Sequence, residues 1–265
     1  MAGTGAETAV TDGQSLLVPG SPAWWAARHG RAEPTRRVPV TLDRIITGAL
    51  DLIDREGLGA LSMRNLAAEL QTGTTTLYRY VSGKDEVLVL VADTVLGEAQ
   101  LPRALEGLGW REVLRELAFS MRTVLSSHPS VAALIATAVP VGPNSLRARE
   151  LILGVLRERG FDRTLAADVY TMLAHLVLAS VLQEPMRDFR AGGLGASKSL
   201  TLRDFYRSLP AGQYPHLVAL ADALTSRTAA EEFEFGLGCL LDGVEVRLPQ
   251  AQTRRHRPRN TTSEA

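Results

Sequence analysis

Leu61-Ser-Met-Arg-Asn-Leu-Ala-Ala-Glu-Leu-Gln-Thr-Gly-Thr-Thr-Thr-Leu-Tyr-Arg-Tyr-Val81 is the stretch whose reading decides the fold around it. Ser62 is a fitting N-cap, and Leu66, Ala67 and Leu70 share the inward face of a short helix over Ser62–Leu70. Gln71-Thr72-Gly73 reads as a turn, Thr74–Val81 as a second short helix, and Ser82-Gly83 as its break. Ala67 falls where two such helices cross, and its small side chain permits close approach, with Leu70 and Leu77 pinning the crossing. The second helix presents Thr74, Thr75, Thr76, Tyr78, Arg79 and Tyr80. Hydroxyls suit phosphates and a guanidinium suits base edges, while the helix N-terminus adds free N–H groups and partial positive charge. The spacing is that of a helix-turn-helix. Many such motifs open the turn with glycine, whereas here Gln71 stands first and Gly73 comes two later. Short helices joined by a tight turn also occur without nucleic-acid partners, so spacing alone leaves both readings open.

Upstream, Thr41 caps a helix whose Ile45, Ile46, Ala49, Leu50 and Ile53 recur at helical spacing, and Gly57 and Gly59 stop it. Downstream, a longer helix over Lys84–Ala99 carries Val87, Leu88, Val91, Val95 and Leu96. The remainder reads as helices over Trp110–Ser126, Ser130–Ala138, Ser145–Arg159, Arg163–Gln183, Tyr214–Thr225 and Ala229–Val246, with prolines at or between their ends. Arg190–Ser199 reads as a loop, and no strand-like alternation persists. The fold class is all-α: an N-terminal three-helix head with the helix-turn-helix, and a larger helical body. Expected boundaries are a flexible arm over 1–37, with Trp24 and Trp25 as a local anchor, and a homeodomain-like DNA-binding head over 38–99. A body for ligand binding and dimerisation follows over 100–248, then a basic disordered tail over 249–265.

The chain has 265 residues, 45% of them hydrophobic, and 29 basic against 29 acidic side chains. Net charge therefore gives no hint of a polyanionic partner, but its distribution does. From Arg28 to Lys84 there are nine basic and six acidic residues, with Arg28, Arg31, Arg36 and Arg37 clustered ahead of the helices. Arg254, Arg255, Arg257 and Arg259 form a second cluster, of the kind that is usually just solvated. Cys239 is the lone cysteine, which excludes a disulfide framework and thiolate zinc; its apolar surroundings suggest a small buried hydrophobe. The N-terminus lacks the pattern of a secretory signal, and the apolar run Leu173–Leu182 is too short to span a bilayer. A soluble cytoplasmic protein without a membrane partner is expected.

The run Ala49-Leu50-Asp51-Leu52-Ile53, then Gly57-Leu58-Gly59-Ala60-Leu61-Ser62-Met63-Arg64-Asn65-Leu66-Ala67, then Thr76-Leu77-Tyr78-Arg79-Tyr80-Val81 with Lys84 and Leu88, resembles the head of the TetR family of repressors. Phe161–Gln183, with His175 and Val181-Leu182, and Glu232–Leu248 resemble long helices of the tetracycline-repressor branch, and Ser127-His128 and Pro140 fall in register. The resemblance implies a homodimer closed by a four-helix bundle, reading a palindromic operator in double-stranded DNA. It implies base reading by Arg64, Thr74 and Thr75 and backbone contact by Thr76, Tyr78 and Lys84, with Ser62, Arg79 and Tyr80 completing the candidate surface. Thr74 and Thr75 depart from that branch's glutamine and proline, so a different operator is expected.

In that branch the drug arrives with magnesium, and the matching positions here are Gln100, Ile135 and Gln183. Isoleucine cannot hold a hard cation, and Glu184 is turned about 100° from the carboxylate position. The expectation is a rebuilt pocket with no metal and no cofactor, for an apolar or amphipathic small-molecule effector. Candidate lining residues are Leu117, Met121, His128, Ile135, Val139, His175 and Gln183, with His175 more in keeping with a hydrogen-bonded interior histidine. The expected function is a repressor released by its effector. The same head also suits an activator or a ligand-independent regulator. A helical enzyme using His128 or His175 is the remote rival, because no nucleophile–base or metal-ligand cluster is visible.

Overall fold

The computed structural model describes residues 18–28, 40–99, 108–184 and 201–255. Among these residues the regular structure is entirely helical. The Arg190–Ser199 loop, Gln100, Arg31, Arg36, Arg37, Arg257 and Arg259 lie outside them.

The head is built from α2 (Leu42–Glu56), α3 (Met63–Glu69) and α4 (Thr74–Leu77). Thr41 caps α2 as its composition demands, its hydroxyl accepting from Arg44 N at 3.2 Å. Ile45, Ala49 and Ile53 are fully enclosed along one stripe of α2 and meet Leu66, Leu77 and Val87 in the main core. Gly48 lets α3 come close, since a Cβ there would lie 2.8 Å from Leu70 Cδ2. Ser62 caps α3 through Asn65 N at 3.1 Å.

The next helix, α5 (Lys84–Gly97), belongs to both parts of the molecule. It packs on α2 in the head and on α6 (Trp110–Ser127), α7 (Pro129–Ile135) and α8 (Pro143–Glu158) in the body. Asp93, 6% exposed, is the fixed link. Its carboxylate accepts from the backbone N–H of Asn144 at 3.1 Å and of Ser145 at 3.0 Å, two of the unpaired donors that open α8.

In the body, α9 (Arg163–Leu182) packs against α6, α7, α8 and the chain's last helix. Asp162 caps it through Leu165 N at 2.8 Å. Between α9 and the last helix stand α10 (Leu202–Ser208), α11 (Pro215–Ala219) and α12 (Ala221–Ser226). The last helix, α13 (Ala229–Arg255), opens with a reciprocal cap in which Thr228 N donates to Glu231 Oε2 at 2.7 Å and Glu231 N donates to Thr228 Oγ1 at 3.2 Å. The Glu231 carboxylate accepts from Thr228 N and also from Thr228 Oγ1 at 2.9 Å, and these two bonds hold it below its usual pKa.

Several expectations are corrected. Within the arm, Pro22–Arg28 forms a helix, α1, and both Trp24 and Trp25 are buried in the main core. The second helix of the motif stops at Leu77, because the run of β-branched threonines favours a helix poorly and the chain tightens into i→i+3 bonds, Arg79 N to Thr76 O and Tyr80 N to Leu77 O. Tyr214–Thr225 breaks at Leu220 into two helices, and Leu202–Ser208 is a helix that the sequence reading passed over. Cys239 is exposed. The 20-residue α9 is long and apolar enough to cross a membrane by length and composition, unlike the shorter run read from sequence, with 28% of its window buried.

Candidate nucleic-acid interface and effector site

The turn of the motif adopts the left-handed backbone that glycine would favour. Gln71 has φ 52°, alone among the described non-glycine residues. Gln71 N donates to Ala68 O at 3.0 Å and Thr72 N to Ala67 O at 2.9 Å, a Schellman stop that turns the chain sharply from α3 into α4. Ala67, Leu70, Leu77 and Val81 are buried beneath that turn, so the crossing is fixed from below.

All of the candidate DNA-contacting side chains are at least partly solvent-accessible. Arg64, Thr75, Tyr78 and Arg79 are exposed, Tyr78 at 55%. Ser62, Thr74, Thr76, Tyr80 and Lys84 are half-buried. Ser62 spends its hydroxyl on the α3 cap, and Tyr80 packs its ring against the core. Lys84 Nζ lies 3.4 Å from Leu58 O, which engages one of its three donors. The α3–α4 unit thus offers a guanidinium from α3 and one from the turn after α4, hydroxyls between them and an ammonium at the start of α5. Such a surface is equipped for base edges and phosphates together.

Among the described residues, the expected effector positions fall in several places. Ile135 and Val139 line an apolar cleft of about 330 Å³ with Val18, Trp25, Val89 and Val141. Leu117 sits in a separate small cluster with Val113 and Val155, and Met121 packs on the main core. His128 has another task. It ends α6 and precedes α7, with Nδ1 at 2.7 Å from Asp54 Oδ2 of the head and Nε2 at 3.2 Å from Glu98 Oε2 beyond the end of α5. The imidazole therefore bridges body, head and connecting helix.

His175 is exposed rather than interior, because its register on α9 places it near Met172 and Ala179 on the side that no other described helix covers. Gln183 is exposed at the end of α9, and Glu184 is consumed by an ion pair with Arg122. Ser127, the hydroxyl beside His128, donates instead to Thr123 O at 3.1 Å. Sequence reasoning missed Asp93, Glu86 and Arg28 as joint-building residues. The reach-back spacing of Ser82 and Glu86 was the available signal.

Comparison with known proteins agrees with this arrangement. Residues 45–91 match the model for bacterial regulatory proteins of the tetR family, and residues 101–248 match the tetracyclin repressor-like C-terminal domain. The HTH-type transcriptional repressor DrrR1 of Streptomyces coeruleorubidus is 34% identical over 80% of this chain and 79% of its own length. The crystal structure of the TetR family protein ActR of Streptomyces coelicolor with actinorhodin superposes with a TM-score of 0.70 at 37% identity, covering 79% of this chain and 98% of that one. The class E tetracycline repressor protein of Escherichia coli is 29% identical over 83% of this chain and 96% of its own length. The chain belongs to the TetR family of DNA-binding transcriptional regulators.

Proposed function

We propose that this regulator is a homodimeric repressor that holds a palindromic operator in double-stranded DNA and releases it when a small apolar or amphipathic effector binds the body. The observation that carries the reading is the surface of Arg64, Thr75, Tyr78 and Arg79, exposed on a rigidly crossed α3–α4 pair with Lys84 beside it. Arg64, Thr74 and Thr75 read bases, while Thr76, Tyr78 and Lys84 hold the backbone. The repressor name of DrrR1 and the actinorhodin complex of ActR favour repression and a small-molecule effector.

The dimer reading is supported by apolar side chains left uncovered on α9 and α13. Met172 is 48% exposed, Phe235 59% and Val246 67%, too much apolar surface on two long helices to leave in water. A second copy presenting the same pair of helices would cover them by two-fold symmetry. His175 then belongs to that contact instead of to an effector pocket. A role inside the cell follows from the operator reading.

Ile135 and Val139 remain the effector candidates that share a described cleft, and the body is read as a metal-free relative of the tetracycline-repressor branch. The test is a gel shift with DNA flanking the protein's own gene. A specific shift, lost in Arg64→Ala with Thr75→Ala, supports the reading; the same shift in that variant, or none with the wild type, overturns it.

A further inference from the structure

We propose that α1 is a strap fixing the turn between α4 and α5 to the body, with Arg28 and Glu86 as positioning residues for operator binding. The proposal rests on the operator reading for its function and on the following contacts for its structure.

The Glu86 side chain is 1% exposed. A carboxylate so enclosed is tolerated only when paired and hydrogen-bonded. Its two oxygens engage two different segments. Oε1 pairs with the Arg28 guanidinium from α1. Oε2 accepts from Ser82 N at 2.8 Å and Ser82 Oγ at 2.6 Å. Ser82 lies between Val81, which closes the helix-turn-helix, and Lys84, which opens α5. One buried carboxylate therefore ties the arm to the backbone that presents the lysine.

Arg28 is held in turn. It is 15% exposed, and its guanidinium carbon sits 5.3 Å from the centre of the Trp24 ring. Trp24 stacks edge-on against Trp25 at 4.8 Å between centroids. Trp25 reaches the body. A Cβ on Gly142, the residue that caps α8, would fall 2.7 Å from Trp25 Cζ2. Upstream, Gly20 makes its turn at φ 85°, and a Cβ there would lie 2.9 Å from Val89 Cγ2 of α5. The strap and the turn before it thus touch α5 at Glu86 and Val89 and the body at Gly142. Its cleft-facing residues Val18 and Trp25 also share the wall that holds Ile135 and Val139. A change at the cleft has a short covalent and packed route to Ser82.

The full-length chain tests this by operator titration, thermal melting and amide exchange across residues 82–86. Three variants are compared with the wild type: Arg28→Ala, Arg28→Lys, and the charge-free pair Arg28→Met with Glu86→Gln. The pair leaves no unpaired buried charge, so it separates positioning from folding. Arg28→Ala is expected to speed exchange at Ser82 and weaken operator binding by roughly tenfold, a usual size for coupling between sites. Arg28→Lys should recover part of both losses. The charge-free pair should melt near the wild type yet still exchange faster and bind more weakly. Wild-type exchange and affinity in the pair and in Arg28→Ala would overturn the proposal. So would a loss of affinity that tracks melting temperature with no local change in exchange. If the wild type binds no operator, the operator reading fails by itself, and exchange at Ser82 then decides the strap.

Discussion

Gln71 shows what a single backbone angle asks of a sequence. A non-glycine residue at φ 52° carries about 1 kcal/mol of steric penalty that glycine avoids. Gln71→Gly should raise stability by about 1 kcal/mol, read as a rise of a few degrees in melting temperature, without altering operator choice. The contact residues divide by chemistry. Arg64→Ala should weaken specific binding by about 1–3 kcal/mol and relax preference at one base pair. Lys84→Ala should weaken all sequences alike and lower the salt slope by about 1. Titrations at several salt concentrations distinguish the two outcomes. The outward placement of Arg64, Thr75, Tyr78 and Arg79 was legible in the motif's helical spacing, whereas their DNA contacts rest on the proposed function. The placement of His175 and Cys239 was not legible, since an apolar neighbourhood in sequence says nothing about which side of a helix another helix covers.

Among the elements, the connecting helix α5 was the least legible. Its apolar residues predicted a core helix, and Val87, Val91 and Val95 are indeed enclosed. What periodicity could not show is that its buried acids are structural ligands for other segments, Glu86 for Ser82 and Arg28, Asp93 for the first amides of α8. The pairings of Glu86 with Arg28 and of Asp93 with α8 join residues far apart in sequence, where no local pattern reports them. Asp93→Ala should remove the α8 cap and leave its amides unpaired, destabilising the fold by about 1–3 kcal/mol by chemical denaturation. Gly48→Ala should force Leu70 aside and cost a similar amount, because α2 and α3 pack at the distance a bare backbone allows. The short α4 illustrates the reverse error. Its threonines were read for their hydroxyls, although their branched side chains also shorten the helix.

For the whole molecule, the proposed dimer would pair the heads through the apolar outer sides of α9 and α13. One head contacts too few base pairs to specify a site in a genome, so a two-fold pair is needed for specificity. Phe235→Glu should leave a folded monomer by sizing and lose operator binding together with the dimer. The proposed effector chemistry is tested on the body. Tetracycline with magnesium should neither raise the melting temperature nor release DNA, because Ile135 offers no ligand to a cation. The head and the all-helical plan were readable from the chain, whereas the joint between head and body needed the three-dimensional contacts of Trp25, Arg28 and His128. The central claim is that the α3–α4 surface reads DNA. Its most direct test is operator titration of the wild type beside Arg64→Ala with Thr75→Ala, using DNA flanking the gene and a scrambled control. The account predicts specific wild-type binding that the double substitution abolishes while the melting temperature stays unchanged. Equal binding by both proteins, or no preference of the wild type over the scrambled DNA, would contradict it.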